Sequence, residues 1–247
     1  MSANVLVFAG LDPSGGAGLA ADILAIAAQG VHALPVATTL TVQDNNRVID
    51  AEPVASSMVL RQAEPLLKAC WIDAVKIGIP GSAANAEAIA VVVRRLRERH
   101  PGLPVVLDPV LASGHGQALG KGDPAAALRE LLALATIVVP NLPEAAALGE
   151  LPCEHVLITG GHTDGNLVVN RWLRGGADIR TWGWPRLPHE YHGSGCTLAA
   201  ALAARLALGE EMESALARAQ AYTYRTLDQA FAIAPGQRIP RRMLPAT

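Results

Sequence analysis

The chain has 247 residues, of which 51% are hydrophobic, and this is enough to build the core of a large α/β domain. The formal net charge of −2 argues against a nucleic-acid-binding surface, because such a surface needs a basic patch. The three cysteines lack Cys-x-x-Cys spacing, so neither disulfide bonds nor a structural zinc site is expected. The sequence has no signal-peptide pattern, no membrane-length apolar stretch and no linker-like segment. We therefore expect a single cytoplasmic domain spanning residues 1–247.

Apolar runs that end in turn residues predict strands and helices that alternate along the chain. The predicted strands are Val5–Ala9, Pro35–Leu40, Ala74–Ile77, Val105–Leu107, Ile137–Val139, Val156–Ile158, Leu167–Trp172 and Ile179–Trp184. The predicted helices are Ala17–Gln29, Ser56–Ala69, Ala83–Arg99, Pro124–Ala135, Thr197–Leu208 and Glu211–Phe231. The last two strands flank a Gly-Gly turn and are expected to pair as an antiparallel hairpin. The alternation predicts a three-layer doubly wound α/β sandwich with a central, mostly parallel sheet.

Residues that directly follow the strands are candidates for a binding site, because ligands of such sheets bind beyond the carboxyl ends of the strands. These residues are Gly10, Asp12, Gln43, Gly78, Asp108, Asn141, Glu144, Thr159, Gly160, Gly161 and His162. We expect them to meet along one edge of the sheet, facing the turn that precedes the helix at Thr197.

The turn after the first strand, residues 10–18, is rich in glycine. No Gly-Lys-Ser/Thr sequence follows it, so it is not a Walker A phosphate loop. The spacing Gly16-x-Gly18-x-x-Ala21, with Asp44 after the second strand, matches the dinucleotide-binding fingerprint. That match is short, and its glycines lie far past the strand. A turn whose glycines permit close helix packing is an equally good interpretation.

A second glycine-rich turn, His192-Gly193-Ser194-Gly195-Cys196-Thr197, runs directly into an Ala/Leu-rich helix. The free N–H groups and the helix dipole at such a start suit a phosphate or a developing oxyanion. We expect the position of Cys196 to lower its pKa, so that it can act as a base. The alternative is a plain loop with a buried, inert cysteine.

Oxygen-bearing side chains follow two neighbouring strands. Asp108 follows one, and Asn141 and Glu144 follow the next. Carboxylate oxygens suit a hydrated Mg²⁺ ion, which takes only one or two protein ligands. Asn141 and Glu144 also fit a helix N-cap and a first-turn acid, and the two roles are compatible.

Together, these motifs resemble the hydroxymethylpyrimidine/phosphomethylpyrimidine kinases, which are thiamine-biosynthesis enzymes of the ribokinase-like superfamily. The matching runs, in family order, are residues 9–18, Val75-Lys76-Ile77-Gly78, Leu107-Asp108-Pro109-Val110, Pro140-Asn141-Leu142-Pro143-Glu144-Ala145, Gly160-Gly161-His162 and residues 192–197. The resemblance covers nearly the whole chain and displaces the dinucleotide interpretation. It implies a ribokinase-like fold, a homodimer, and ATP- and Mg²⁺-dependent phosphorylation of 4-amino-5-hydroxymethyl-2-methylpyrimidine and of its monophosphate.

The resemblance also implies roles for individual residues. Cys196 matches the catalytic base, and Gly193, Ser194 and Gly195 match the anion hole. Gln43 matches the glutamine that binds the aminopyrimidine edge, within a substrate pocket that also includes Gly10, Asp12, Ile79 and Val110. The ATP and Mg²⁺ region corresponds to Asp108, Asn141, Glu144, Thr159, Gly160 and Gly161, with Asp108 and Glu144 as metal ligands.

The chain departs from the family pattern at several positions. Thr159 stands where the family usually has a lysine that contacts the ATP phosphates, and Ile79 replaces a common methionine. Only Leu148–His155 connect the helix after Asn141 to the next strand, so one face of the sheet is expected to be left open or covered by a partner chain. The loop Ala112–Gly122 is also unlike the family, with His115 near a usual lysine.

Two alternative functions remain. One is a pyridoxal-type kinase of the same superfamily, although that branch usually has an aspartate at the position of Cys196. The other is a non-catalytic sensor of the pyrimidine, which Thr159 and the short 148–155 connection would permit.

Overall fold

The computed structural model describes residues 2–112, 117, 123–162 and 164–244. Within them, nine strands form one sheet: β1 (Asn4–Leu11), β2 (His32–Gln43), β3 (Val48–Pro53), β4 (Ala74–Ile77), β5 (Val105–Leu107), β6 (Ile137–Val138), β7 (His155–Ile158), β8 (Leu167–Arg174) and β9 (Ala177–Pro185). The accompanying helices are α1 (Gly18–Ala27), α2 (Ser56–Ala69), α3 (Ala83–Arg99), α4 (Pro124–Leu134), α5 (Leu142–Leu148), α6 (Ser194–Ala207) and α7 (Met212–Asp228).

The centre of the sheet is parallel and its two ends are antiparallel. The strand order is β3-β2-β1-β4-β5-β6-β7-β8-β9, with parallel pairing from β2 through β7. β3 pairs antiparallel with β2, and β8 and β9 form the predicted hairpin at the other end. The chain winds in opposite directions from β1, which creates a switch point where such sheets bind ligands. The predicted doubly wound α/β fold is confirmed.

Helices cover both faces of the sheet and form two separate hydrophobic cores. Side chains of β1 alternate between them, with Val5 and Val7 on one face and Leu6 and Phe8 on the other. α1, α6 and α7 pack against the first face, and α2, α3 and α4 pack against the second. Small residues let α6 lie close to the strands, since its stretch from Thr197 to Ala204 is fully buried. None of the helices in the described ranges is long and apolar enough to cross a membrane.

The first hairpin of the sheet was not predicted. β3 (Val48–Pro53) is an edge strand without a buried residue, in which Asp50 and Glu52 interrupt the apolar residues, and its pairing extends β2 through Gln43. Gln43 is therefore the last residue of β2 rather than a loop residue after it. This position matters for function because a strand fixes the backbone at Gln43 more firmly than a loop does.

The connection from Leu148 to His155 leaves part of one face open, as expected. Leu148, Leu151 and Cys153 pack at the border of the core beneath α2, α3 and α4. Beyond this border, the outward side of β8 exposes Leu167 and Val169, at 53% and 40%. The expectation for the loop 112–122, including His115, lies outside the described residues except at positions 112 and 117.

Candidate active site

The turn before α6 has the geometry of an anion-binding site. Gly193 caps the helix with a left-handed φ of +80°, and its carbonyl accepts the Thr197 N–H at 3.0 Å. The N–H groups of the first helical turn have no acceptors within a helix, so those of Ser194, Gly195 and Cys196 can serve a ligand. Only glycine fits at position 193, because a Cβ there would lie 2.0 Å from the Gly16 carbonyl oxygen. The two glycine-rich turns are therefore in direct contact.

Asp12 organises the first of these turns. Its carboxylate accepts the N–H groups of Ser14 at 2.8 Å and Ala17 at 2.7 Å, and it pairs with the His192 Nε2 at 2.7 Å. Burial would raise the Asp12 pKa, but hydrogen bonds from His192, Ser14 and Ala17 outweigh burial and lower it. His192 thus joins the two turns, a role that the sequence did not reveal. The predicted contact of Asp12 with substrate stays a prediction, since its carboxylate is occupied within the turn.

Cys196 lies half-buried at the start of α6, next to Asp108. The expectation of a lowered pKa is wrong, because burial raises the pKa of the thiol to about 12. Lys76 opposes this shift and the carboxylates of Asp108 and Asp22 reinforce it, so desolvation and negative charge outweigh the helix dipole. The raised pKa favours the protonated thiol, which lies beside the Asp108 carboxylate and feels its negative charge.

A buried charge cluster lies beneath Cys196. The Lys76 Nζ contacts the Asp22 Oδ2 at 2.9 Å and lies 4.0 Å from the Asp108 Oδ2, and the side chains of Lys76 and Asp22 are fully buried. Sequence reasoning gave neither Lys76 nor Asp22 a role, although the lysine interrupts an otherwise apolar strand. The positive charge of Lys76 therefore offsets the negative charges of the two buried carboxylates near Cys196.

Asn141 and Glu144 form a capping box at the start of α5. The Asn141 Oδ1 accepts the Glu144 N–H at 2.8 Å, and the Glu144 Oε2 accepts the Asn141 N–H at 2.9 Å. Burial raises the pKa of Glu144 to about 7, with a further contribution from the negative charge of Asp108. The helix-cap interpretation is confirmed, and the two nearby carboxylates remain available to a cation.

The donor chemistry fits the predicted Mg²⁺ site. The Asp108 Oδ2 is buried and has no hydrogen-bond partner among the described residues. No group of three or more metal-binding side chains occurs in the described parts of the chain. A magnesium ion that keeps several waters and phosphate oxygens needs only one or two carboxylates, which Asp108 and Glu144 can supply.

The segment Thr159-Gly160-Gly161 follows β7, as predicted. The Thr159 hydroxyl points at the Pro140 carbonyl oxygen at 3.5 Å and brings no positive charge. At Gly160, a Cβ would lie 2.2 Å from the carbonyl oxygen of Val169, so β8 approaches too closely for any other residue. The Gly161 carbonyl accepts a hydrogen bond from Arg186 at 3.0 Å.

The predicted substrate residues lie at the carboxyl ends of the central strands. Gly10 lies in β1, opposite Thr39 of β2, while Ile79 and Val110 follow β4 and β5 and are half-buried. The Ile79 carbonyl accepts the hydroxyl of Thr38 at 2.5 Å, which ties the segment after β4 to β2.

The hairpin that carries Gln43 is anchored by a distant segment. The Asn45 Nδ2 donates to the carbonyls of Pro235 and Gln237, and the Asn46 Oδ1 accepts the Gln237 N–H at 2.9 Å. A Cβ on Gly236 would collide with the Asn46 side chain. The tip of the β2–β3 hairpin is thus fixed by residues 235–237.

Comparisons with known proteins identify the family of this chain. The family model described as phosphomethylpyrimidine kinase matches residues 12–240. A hydroxymethylpyrimidine/phosphomethylpyrimidine kinase of Rhizobium meliloti (strain 1021) is 34% identical, over 96% of this chain and 95% of the relative.

Solved structures show the same fold. The ADP complex of Bacillus subtilis pyridoxal kinase superposes with a TM-score of 0.85 at 25% identity, covering 98% of both chains. The phosphomethylpyrimidine kinase of Clostridium difficile 630 superposes with a TM-score of 0.74 at 28% identity, covering 90% of this chain and 98% of that one. The expected ribokinase-like fold is thereby confirmed, and the chain belongs to the phosphomethylpyrimidine kinase family.

Proposed function

We propose that this protein is an ATP-dependent kinase of thiamine biosynthesis. It phosphorylates 4-amino-5-hydroxymethyl-2-methylpyrimidine and then the monophosphate, as a cytoplasmic homodimer with one catalytic domain per chain. The observation that carries the proposal is the position of Cys196 in the anion-binding turn at the start of α6, where the charge of Asp108 acts on its thiol. A proton-accepting pair next to an anion-binding turn is what transfer of a phosphoryl group to an alcohol requires.

Cys196 and Asp108 accept the proton that the reaction releases, and the turn before α6 binds the phosphoryl group. The hydroxymethyl oxygen attacks the γ-phosphorus of ATP, and the bond from that phosphorus to the oxygen of the β-phosphate breaks, so that ADP leaves. The proton of the alcohol passes to the Cys196 sulfur while the thiol proton passes to Asp108. This paired transfer is compatible with the raised pKa of Cys196, because no free thiolate has to form first. The N–H groups of residues 194–196 stabilise the phosphoryl oxygens.

Asp108 and Glu144 would hold Mg²⁺, which neutralises the charge of the ATP phosphates. One Asp108 oxygen can face the metal while the other accepts the thiol proton. Gln43 would recognise the aminopyrimidine, because an amide can both donate to and accept from the edge of a heterocycle. Its place at the end of a paired strand, behind an anchored hairpin tip, supports that role.

Pyridoxal phosphorylation is the second candidate. The similarity in fold to a pyridoxal kinase over almost the whole chain favours it. The family match and the cysteine at position 196 favour the pyrimidine. Both alcohols can be tested under the same conditions.

The proposal is tested by incubating the protein with Mg²⁺, ATP and each alcohol, and by identifying the products by mass spectrometry. The pyrimidine monophosphate, followed by the diphosphate, is the expected result. Exclusive formation of pyridoxal phosphate would replace the proposal by the second candidate. Pyrimidine binding without any product would indicate a sensor.

The role of Cys196 is tested with Cys196→Ser, and Cys70→Ser serves as a matched control in another half-buried cysteine. We expect Cys196→Ser to lower kcat by about 10²- to 10⁴-fold, with pyrimidine binding retained. Cys70→Ser should leave kcat unchanged. Unchanged turnover in Cys196→Ser would show that the assignment of the base is wrong.

A further inference from the structure

Arg242 lies buried between the two glycine-rich turns, with only 2% of its surface exposed. Its Nε donates to the Thr197 Oγ1 at 2.9 Å, and its terminal nitrogens reach the carbonyls of Gly15 and Gly193, each at 3.4 Å. A further hydrogen bond goes to the Gly16 carbonyl. One guanidinium therefore contacts the first turn, the cap of α6 and the first turn of that helix.

Among the described residues, the Arg242 guanidinium donates to backbone carbonyls and one hydroxyl, and no carboxylate contacts it directly. Asp22 and Asp12 act on it only through space. An arginine stays protonated even where burial lowers its pKa. A buried cation without a contacting carboxylate is costly, and an anion bound at the adjacent turn would offset that cost.

We propose that Arg242 is a positioning residue that holds the anion-binding turn against the first turn and adds its positive charge to that turn. The proposal rests on the kinase function proposed above. Arg242 would also supply a cation near the phosphate site, in a chain that has Thr159 in place of the family lysine. The planar fork of arginine can reach several acceptors at once, which the single ammonium of lysine cannot do.

The neighbouring residue provides a matched control. Arg241 is exposed, its guanidinium stacks on Phe231 at 5.1 Å, and its Nε donates to the Gln229 carbonyl. The segment itself is fixed by the Tyr222 hydroxyl, which donates to the Arg242 carbonyl at 2.9 Å. Substitutions at positions 241 and 242 thus alter adjacent side chains of the same backbone, of which only one contacts the turns.

The kinetic test compares Arg242→Gln, Arg242→Lys and Arg241→Gln in steady-state phosphorylation of the pyrimidine. We expect Arg242→Gln to lower kcat by about tenfold to hundredfold, as a small misplacement of reacting groups does, and to leave the KM for the pyrimidine within about threefold. Arg242→Lys should recover part of the loss because it restores the charge, and Arg241→Gln should match the wild type. Unchanged kcat in Arg242→Gln would overturn the proposal, as would an equal loss in Arg241→Gln.

A second measurement does not depend on activity. Hydrogen–deuterium exchange should become faster in peptides covering residues 14–18 and 193–198 in Arg242→Gln, and stay unchanged there in Arg241→Gln. If Arg242→Gln does not fold, Thr197→Val removes one acceptor of the guanidinium and should produce a smaller change in the same peptides. Unchanged hydrogen–deuterium exchange in a folded variant would refute the proposal that Arg242 holds the two turns together. Lack of pyrimidine phosphorylation by the wild type, with faster exchange in the variant, would refute only the proposed function.

Discussion

The buried pair of Lys76 and Asp22 predicts a large and non-additive loss of stability. Both side chains are fully buried and their charged atoms lie 2.9 Å apart. Lys76→Met leaves Asp22 and Asp108 without their nearest cation, and the Asp22 Oδ1 already has no partner among the described residues. Removing one member of a buried pair costs about 3–5 kcal/mol, since the other charge stays desolvated. We expect Lys76→Met and Asp22→Asn each to lower the free energy of unfolding by this amount.

The assay is urea unfolding of both single variants and of the double variant. The double variant should lose less than the sum of the singles, because it leaves no unpaired charge at position 22. Additivity within about 0.5 kcal/mol would refute the reasoning, since it would show that the two residues do not interact. Lys68→Met breaks an exposed pair with Glu64 at 2.7 Å and should leave the stability unchanged.

Two further predictions concern the glycine-rich turns. Gly193→Ala should destabilise the protein and lower kcat, because its Cβ would collide with the Gly16 carbonyl; Gly209→Ala, with the similar φ of +78° but open space around it, measures the backbone strain alone. An equal effect of both variants on kcat in the kinase assay would contradict this. Asp12, whose pKa is lowered, should stabilise the fold above its ordinary pKa of 3.8 and lose that contribution as the pH falls through the folded value. The stability gap between the wild type and Asp12→Asn should therefore be wide at pH 7 and narrow progressively as the pH falls below 3.8, and a constant gap would contradict the assignment.

Strong local patterns made most of the fold predictable. Helices α2 and α3 begin and end where the sequence indicated, since each has an apolar stripe, and the Ser82 hydroxyl caps α3 by accepting the Asn85 N–H. The strand β3 could not be predicted, because Asp50 and Glu52 interrupt its short apolar pattern and its existence depends on pairing with β2. Edge pairing is decided by tertiary structure rather than by local preference.

In the candidate site, too, the residues in short local motifs could be predicted, while those whose contacts depend on distant segments could not. Short motifs placed Cys196, Asp108 and Glu144 at one edge of the sheet because each follows a strand or precedes a helix. The contacts of Lys76 and Arg242 depend on residues far away in the chain, and no local pattern announces them. The predicted direction of the Cys196 pKa shift was wrong for the same reason, since the buried charges around the thiol come from other elements.

The segment from Pro235 to Arg242 connects the part of the site proposed to bind the pyrimidine with the part proposed to bind the phosphates. One end fixes the hairpin tip beyond Gln43, and the other holds the turn before Cys196. A pyrimidine that orders the hairpin would thereby favour the arrangement that receives the phosphates of the nucleotide. Thermodynamic linkage then requires reciprocity: the factor by which the pyrimidine tightens nucleotide binding equals the factor by which the nucleotide tightens pyrimidine binding. In the proposed kinase, this eight-residue connection would therefore couple the affinity for the pyrimidine to the affinity for the nucleotide.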